Sequence, residues 1–513
     1  MKLKKHLSLM IVTFVMVLFI AASAFAKQPK YVFFFLGDGM SSSQIQATEA
    51  FLATKWAIEN GLEIGPNPGE INAKHLLNPS NRLNMAQMPI AGMQTTFDQF
   101  ALMTDSASSA TGFASGIKTR SAVINMDPYN HTTGYKSIGE LAQETGMKVG
   151  IISSVPLNHA TPAAYYASVP HRGLYNLIGK QMVESGYEFF GGGGLLAPTG
   201  PARDGDTSYN IWQMLDDAGY QVLNDRESIM ELKNNPMDKV VCINPWLQNS
   251  AAMPYAIDRP DTNLSLAEMT EVAIAVLQES DSFFLMVEGG KIDWSCHAND
   301  AMATIGDMID FDNAVGVAIE FYNKYPDDTL IVVTGDHETG GMTIGHATTG
   351  YRAYYEKLLG QKHSFTYFGQ NQWPEYKEKY SEAVCINNDA LDAAWSMIDL
   401  MQSFFGLNWG ELSEYQQERI AWAWVHSLCG YDRNDSKNRH HYGGYEPIII
   451  KLTHVLNEQA SIGWTSFAHT GVPVPVFAQG NDAERFSGFY DNTDIAKQLA
   501  LAIGVEENLP IEK

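Results

Sequence analysis

Two short segments place carboxylates and histidines where they could bind a metal ion. In Asp293-Trp-Ser-Cys-His297 the carboxylate and the imidazole are four positions apart, so a helix would present both on one face. Asp336 and His337 offer adjacent oxygen and nitrogen donors. Oxygen and nitrogen together suit zinc, whereas calcium and magnesium prefer oxygen alone. Taken alone, the Asp293–His297 pair could equally be a salt bridge within a helix.

A third segment, residues 104–112 (TDSASSATG), could supply a nucleophile. Its small residues leave room for a ligand at the start of a helix, where the backbone amides and the helix dipole favour an anion. Ser106 could then attack a bound electrophile. The structural alternative is that Asp105 or Ser106 caps the helix while Ser106, Ser108 and Ser109 face solvent.

These side chains need a scaffold, and the sequence predicts one of alternating strands and helices. Apolar runs without alternation are typical of strands buried on both faces of a parallel sheet. Such runs occupy residues 31–36, 149–152, 283–287 and 330–333. Helical patterns lie at 138–146, 266–278 and 298–325. The expected fold class is α/β, a three-layer α/β/α sandwich around a largely parallel central sheet.

The residues that follow these strands indicate a site. In an open α/β sheet, ligands bind beyond the carboxyl ends of the strands. Carboxylates and histidines should collect at that edge, namely Asp38, His159, Glu288, Asp336 and His337. One acidic residue at a strand end is ordinary turn chemistry, but several together with two histidines indicate a metal site.

Two segments are predicted to be insertions. Residues 51–92 contain Asn, Pro and Gly clusters and suggest a loop-rich excursion. Residues 345–446 are rich in Tyr and Trp, with helical patterns at 390–405 and 413–428. The second insertion could be a lid, a dimer contact or a small subdomain, and we favour aromatic packing onto the main body.

Three further features have a simple and a functional interpretation. His426 and the His440-His441 pair could bind an accessory metal, but exposed histidines are the simpler interpretation. The glycines at 191–194 could cradle a phosphate; without a P-loop or dinucleotide-binding context, a flexible turn is favoured. The cysteines are too few for a disulfide scaffold, and bridges and buried thiols both stay open for Cys242, Cys296, Cys385 and Cys429.

Composition and the first residues restrict the class and compartment of the protein. Of 513 residues, 45% are hydrophobic and 18% charged, which permits a large core and excludes a disordered chain. A net charge of −24 argues against binding nucleic acid or anionic lipid. Residues 1–26 have the basic, apolar and small-residue pattern of a secretory signal peptide. We therefore expect a mature catalytic domain at 27–513, periplasmic or secreted and without a membrane span.

Six segments, in this order, resemble the bacterial alkaline phosphatases. They are GDGM at 37–40, TDSASSATG at 104–112, HATPAAYYASVPHR at 159–172, VEGGKIDWSCHAND at 287–300, TGDHETGG at 334–341 and WTSFAHTG around His469. The resemblance extends from residue 31 to about residue 504. It implies hydrolysis of small phosphate monoesters to an alcohol and inorganic phosphate, fastest at alkaline pH, through a phosphoserine intermediate in a homodimer with two zinc ions and one magnesium ion.

The resemblance also implies roles by position. The first zinc ion would be held by Asp293, His297 and His469. The second would be held by Asp38, Asp336 and His337, with Ser106 as its fourth ligand in the free enzyme and as the catalytic nucleophile. Magnesium would be bound by Asp38, Thr161 and Glu288. Arg172 would hold two phosphoryl oxygens with its guanidinium fork.

At two positions the chain departs from the best-known enteric bacterial pattern. His159 stands where that pattern has Asp, and Trp294 where it has Lys; the His/Trp pair resembles a subset of marine and cold-environment enzymes. With Asp105, these residues are expected to support the site without binding metal directly. Because His159 removes a carboxylate near the magnesium ion, we expect weaker magnesium binding. Alternatively, His159 is simply a packed, hydrogen-bonded residue.

Most rival functions lack their signatures. A serine esterase would need a GxSxG turn, and none is found. The Cys/Ser-x-Pro-x-Arg signal of a sulfatase is matched by Ser168-Val-Pro-His-Arg172, so this signal by itself does not exclude a sulfatase. Related phosphodiesterases usually carry a threonine nucleophile and lack the arginine, and related phosphoglycerate mutases are cytosolic. A periplasmic phosphate- or metal-binding protein would have no need of Ser106.

Overall fold

The central sheet is formed by apolar segments that are buried on both faces. The structure is a computed structural model that describes residues 28–387 and 389–513; the expected signal peptide at 1–26 lies outside them. In the described residues the strands are β1 Tyr31–Gly37, β2 Ile90–Thr95, β3 Lys148–Ser153, β4 Phe189–Gly192, β5 Gln221–Leu223, β6 Val240–Ile243, β7 Phe283–Glu288, β8 Thr329–Gly335, β9 Glu338–Thr339, β10 Thr343–Ile344, β11 Ile462–Gly463, β12 His469–Thr470, β13 Val474–Gly480 and β14 Gly488–Asp491.

Helices connect these strands and cover the sheet. They are α1 Ser42–Glu59, α2 Ala73–Leu76, α3 Ser106–Ser115, α4 Ile138–Glu144, α5 Ala160–Ala163, α6 Tyr175–Ser185, α7 Ile211–Asp217, α8 Arg226–Glu231, α9 Leu266–Leu277, α10 Lys291–His297, α11 Ala301–Lys324, α12 Phe365–Asn371, α13 Trp373–Cys385, α14 Leu391–Phe405, α15 Glu414–Cys429, α16 Ser436–Tyr442, α17 Pro447–Ala460 and α18 Asn492–Ala502.

The main sheet has ten strands in the order β14-β2-β13-β8-β1-β7-β3-β4-β6-β5. All of its pairings are parallel except those of β13, which runs opposite to β8 and β2. Strand β1 shows why the fold has three layers. Its side chains alternate, so that Val32, Phe34 and Leu36 enter one core while Phe33 and Phe35 enter the other. Helices α3, α4 and α18 contribute to the first core and α9 and α11 to the second, which confirms the predicted α/β/α sandwich.

Strand register brings the functional segments to one edge of the sheet. Leu36 of β1 pairs with Glu288 of β7, and Gly37 pairs with Gly335 of β8. On the other side of β7, Glu288 pairs with Ser153 of β3. Asp38 and Asp336, one residue beyond β1 and β8, therefore emerge beside Glu288. This is the edge at which ligands bind in open α/β sheets.

The segment expected to be a loop-rich excursion, 51–92, is more regular at its ends than its composition suggested. Its first nine residues complete helix α1, and its last three begin strand β2 of the main sheet. The Asn- and Pro-rich part between them holds the short helix α2 and two single 3-10 turns. Capping by Asn72 and Asn78 side chains explains why this composition gives short turns.

Residues 345–446 form a helical layer with aromatic packing. Trp373, Tyr376 and Trp424 are buried in a core that also includes Phe51 of α1 and Ile305 of α11. The indole of Trp424 donates a hydrogen bond to the Tyr376 hydroxyl at 3.0 Å. The insertion is thus packed onto the body of the protein, and among the described residues no helix is long and apolar enough to cross a membrane.

A disulfide bond closes this layer. Cys385 at the end of α13 is bonded to Cys429 at the end of α15, while Cys242 and Cys296 are buried free thiols. A cross-link between residues 44 positions apart restricts the unfolded chain, which stabilises the folded state by about 4 kcal/mol in the loop-entropy model.

We therefore expect the double variant Cys385→Ser/Cys429→Ser to unfold at a lower temperature and lower denaturant concentration than the parent. Circular dichroism during thermal and urea unfolding measures this loss. Reductant should lower the midpoint of the parent and leave that of the variant unchanged. An unchanged midpoint of the parent in reductant would contradict a stabilising disulfide.

Candidate functional site

Two overlapping clusters of side chains lie at the carboxyl edge of the sheet. In one, donor atoms of Asp293, His337 and His469 all lie within 4.8 Å of one another. In the other, donor atoms of Asp38, Asp336 and His337 do the same. His337 belongs to both, so the clusters adjoin. Their ligand atoms come from four separate parts of the chain, at residues 38, 293, 336–337 and 469.

Helix α10 supplies Asp293 to the first cluster and places His297 beside it. Its i,i+4 spacing places the Asp293 Oδ1 and His297 Nε2 atoms 3.3 Å apart. His469, which begins the short strand β12, brings its Nε2 within 3.1 Å of His297 Nε2 and 3.5 Å of Asp293 Oδ1. Three donor atoms predicted to bind one metal ion thus converge on one point.

The second cluster is built from strand ends. Asp38 follows β1, and Asp336 and His337 follow β8. His337 Nε2 is 3.5 Å from Asp38 Oδ1 and 3.2 Å from Asp336 Oδ2. The turn after β1 requires glycine at position 39, because its φ is +77° and a Cβ there would lie 2.8 Å from the Asp293 Cα. This close approach brings the two clusters together.

Hydrogen bonds from the opposite ring nitrogens fix the histidines. His297 Nδ1 donates to the Phe467 carbonyl and His469 Nδ1 to the Thr104 carbonyl, each at 2.7 Å. Because a carbonyl only accepts, both Nδ1 atoms carry a proton, and each Nε2 faces the cluster, where it can bind a metal ion when its own proton is lost. Such support is typical of metal-binding histidines.

A third group of polar atoms lies beside the second cluster. Both Asp38 carboxylate oxygens, Glu288 Oε1 and Thr161 Oγ1 are buried, and none of them has a hydrogen-bond partner among the described residues. The other Glu288 oxygen accepts a hydrogen bond from Ser153. Buried polar atoms without partners are costly, so these oxygens indicate a bound cation.

The electrostatics of the protein alone point the same way. Burial, followed by repulsion from neighbouring carboxylates, raises the pKa of Asp38 well above its usual value. Burial likewise raises the pKa of Asp336 to about 6 and of Glu288 to about 8. Several carboxylates crowded away from water need positive charge close by.

Ser106 is the first residue of helix α3 and is 2% exposed. Asp105 is the N-cap, because its Oδ1 accepts a hydrogen bond from the Ser108 amide at 3.0 Å. Ser106 therefore does not cap the helix, and the three serines are buried instead of facing solvent. Thr104 accepts from His469, which ties this helix start to the first cluster.

Asp105 also positions Arg172. Their side chains form an ion pair at 2.9 Å. Although burial opposes ionisation of Asp105, the Arg172 charge and two backbone amides lower the pKa of its carboxyl group to about 2. The Arg172 Nη1 atom donates to this carboxylate, and the Nη2 atom lies within hydrogen-bonding distance of His159.

His159 and Trp294 contact each other near the arginine. His159 Nε2 is 3.3 Å from Arg172 Nη2, and its ring packs edge to face with that of Trp294 at 5.8 Å. Burial and the Arg172 charge lower the pKa of His159 to about 3. His159 is therefore neutral and accepts a hydrogen bond from Arg172, so its Nδ1 carries the proton.

Sequence reasoning missed two residues that hold the carboxylates in place. Thr339 Oγ1 donates to Asp293 Oδ1 at 2.6 Å, and Ser109 Oγ donates to Asp336 Oδ2 at 2.9 Å. Thr339 lies in the segment 334–341 and Ser109 in the segment 104–112. Their closeness in sequence to the proposed site residues was the signal that could have identified them. Cys296, which lies between Asp293 and His297 in the sequence, belongs to neither cluster. Its sulfur lies 3.6 Å from Thr304 Oγ1.

The glycines at 191–194 are not a flexible turn throughout. Gly191 and Gly192 complete strand β4. Gly192 has a φ of +124°, and a Cβ there would collide with the Ser153 carbonyl. Close packing against β3 therefore explains this glycine.

Comparisons with known proteins agree with the geometry. A family model described as alkaline phosphatase matches residues 29–505. The chain is 30% identical over 421 residues to alkaline phosphatase 3 of Bacillus subtilis, which covers 81% of this chain and 80% of that protein. A cold-active alkaline phosphatase from a psychrophilic Shewanella species superposes with a TM-score of 0.69 at 25% identity, covering 92% of this chain and 99% of that one.

The alkaline phosphatase of the Antarctic bacterium TAB5 gives a TM-score of 0.60 at 25% identity, with 94% of this chain and 100% of that one covered. Two variants of that enzyme, in which a histidine is replaced by Glu or Asp, have structures with Mg bound in the M3 site.

Proposed function

Since the chain belongs to the alkaline phosphatase family and is an enzyme that hydrolyses phosphate monoesters, we propose that Ser106 is its nucleophile and that Arg172 holds the phosphoryl group. The observation that carries this proposal is the position of Ser106. It begins a helix whose preceding residue, Asp105, fixes Arg172 and whose neighbour Thr104 supports His469.

The donor sets fit two zinc ions and one magnesium ion. Asp293, His297 and His469 would hold one zinc ion, and Asp38, Asp336 and His337 the other, because mixed oxygen and nitrogen donors suit zinc. The oxygen-only set formed by Asp38, Thr161 and Glu288 suits magnesium. The Mg bound by variants of the TAB5 enzyme supports a third site. When bound, the metal ions supply positive charge that stabilises the attacking and leaving oxygens.

The protein side chains perform the remaining steps. The Ser106 hydroxyl oxygen attacks phosphorus as the bond to the leaving alkoxide breaks, the hydroxyl proton passes through water to that alkoxide, and a phosphoserine and the free alcohol result. Water then attacks the same phosphorus and releases inorganic phosphate and Ser106. Two in-line displacements imply net retention of configuration at phosphorus. The guanidinium fork of Arg172, held by Asp105, binds two phosphoryl oxygens in both steps.

The test of this function compares a monoester with a diester. We expect hydrolysis of p-nitrophenyl phosphate at alkaline pH to be much faster than hydrolysis of bis-p-nitrophenyl phosphate. A monoester has three free phosphoryl oxygens, so one is left for the metal ions when Arg172 binds two, whereas a diester has only two and carries one negative charge fewer. Faster cleavage of the diester would assign the chain to a different activity within the superfamily.

Arg172→Ala provides a separate prediction. We expect kcat/KM for p-nitrophenyl phosphate to fall about 10²-fold, and inorganic phosphate to become a weaker competitive inhibitor. Arg172→Lys keeps the charge without the fork, so its loss should be intermediate. An unchanged inhibition constant for phosphate in Arg172→Ala would show that this residue does not bind the phosphoryl group.

Compartment and assembly complete the proposal. The disulfide Cys385–Cys429 supports an oxidising compartment, in keeping with the signal-peptide pattern at 1–26 and a periplasmic or secreted enzyme. A homodimer is the family expectation and stays a prediction.

A further inference from the structure

A cavity of about 630 Å³ lies next to the first metal cluster. One wall is formed by residues 464–468, which directly precede His469. Within that wall, the Phe467 carbonyl is the acceptor for His297 Nδ1. Asn299, two residues after His297, also lines the cavity. Its side-chain amide donates a hydrogen bond to the Ser466 carbonyl at 2.9 Å. The cavity thus shares its wall with two proposed metal ligands.

Positive groups line this cavity. Its titratable side chains are all basic, namely Arg433, Arg439, His440, His441, Lys451 and His454. No Asp or Glu lines it, and Arg433, Arg439 and Lys451 form no salt bridge with any carboxylate in the described part of the chain. In a protein of net charge −24, three basic side chains that form no salt bridge around one cavity create a local field that attracts anions.

Several of these groups are held in fixed positions. Lys451 of helix α17 donates to the His441 carbonyl at 3.2 Å and lies 3.4 Å from His454 Nδ1. His454 Nε2 donates to Asn299 Oδ1 at 3.0 Å, and its ring stacks on Phe467. Burial and the nearby Arg419 charge lower the pKa of Lys451 to about 8, although the Glu458 carboxylate opposes this shift. A partly buried cation that forms no salt bridge gains from a bound anion.

We propose that this cavity binds the second phosphate group of small substrates that carry two, while the first occupies the site at Ser106 and Arg172. This inference rests on the proposed monoesterase mechanism. The volume is sufficient for a phosphate group with part of its carbon skeleton. Two arginines, which stay charged at alkaline pH, supply planar donors for phosphate oxygens, and Lys451 adds a third donor whose protonated form a bound anion favours. The carbon skeleton would extend over exposed Ala468, the lining residue next to His469.

The experiment uses two substrates that differ by one phosphate. Fructose 1,6-bisphosphate and fructose 6-phosphate are compared on the metal-loaded parent and on Arg433→Gln/Arg439→Gln. Both arginines are exposed, so the fold should be preserved. We expect kcat/KM for the bisphosphate to fall about 10-fold and that for the monophosphate and for p-nitrophenyl phosphate to change less than about twofold.

A matched control removes the same charge elsewhere. Lys324→Gln/Lys379→Gln changes two exposed lysines outside the cavity. This variant should keep the parent ratio of kcat/KM for the bisphosphate to kcat/KM for the monophosphate. Equal losses for both substrates in the arginine variant, or no loss for either, would overturn the proposal. So would a control that lowers the ratio as much as the arginine variant does.

Inorganic phosphate distinguishes the remaining possibility. Calorimetric titration of the parent with phosphate could show a second site that is lost in Arg433→Gln/Arg439→Gln. If the ratio of the kcat/KM values for the two substrates is unchanged in that variant, the cavity is a site for free phosphate, and the bisphosphate proposal is overturned. A parent that cleaves none of the monophosphates would instead refute the monoesterase mechanism. The two failures are therefore separable.

Discussion

Ser106→Ala should reduce kcat for p-nitrophenyl phosphate by at least about 10³-fold, because the substitution removes the oxygen that forms the covalent intermediate. Ser106 would be only one of four ligands of the second zinc ion, and the other three, Asp38, Asp336 and His337, are kept, so the zinc and magnesium contents should be close to those of the parent. Steady-state kinetics at alkaline pH and elemental analysis of the same preparation measure both quantities.

Ser115→Ala is the matched control for this substitution. Ser115 ends the same helix and is 0% exposed, against 2% for Ser106. It contacts Asn125 and no residue of the metal clusters. We expect this variant to retain most of the parent activity. If Ser106→Ala also retains nearly full activity, the assignment of the nucleophile is wrong.

Removal of metal ions by EDTA should abolish hydrolysis, and zinc with magnesium should restore it. Without the ions, Asp38, Asp336 and Glu288 stay crowded in a buried site and their mutual repulsion is no longer balanced. We therefore also expect a lower thermal midpoint for the metal-free protein, because ions that bind only the folded state stabilise it.

The restored protein should contain two zinc ions and one magnesium ion per chain. His440→Ala/His441→Ala is the control for adventitious binding, since these residues lie in the basic cavity and outside both clusters. It should retain the same zinc content. Full activity in EDTA after exhaustive dialysis would contradict a metal-dependent mechanism.

Four strands of the main sheet were predicted to within two residues at each end, whereas the buried strands β4, β6 and β13 were not predicted. Residues 31–36 became β1 Tyr31–Gly37, and 330–333 became β8 Thr329–Gly335. An apolar run buried on both faces leaves little freedom of interpretation. Helix α11 was predicted from residue 298 but begins at Ala301, because Asp300 caps it. The start of strand β2 was assigned to an excursion, because its mixed composition reflects side chains that are only partly buried, although the strand lies between β14 and β13.

The identities of the chemical groups were in the sequence. The i,i+4 pair Asp293–His297, the residues after β1 and β8, and the serine-rich segment at 104–112 indicated metal binding and a nucleophile before any coordinates. These signals are local, because helix periodicity and strand ends depend on neighbouring residues. The order of the motifs added the family.

Folding decided everything that joins residues far apart in the chain. His469 meets Asp293 because β12 pairs with β9 beside α10, and Arg172 faces Asp105 across a separation of 67 residues. The supports from Thr339 and Ser109 and the basic cavity of α16 and α17 depend on packing of the same kind. Local sequence determines which atoms are available and where elements begin, whereas distances between those atoms follow from strand register and from burial of the shared cores.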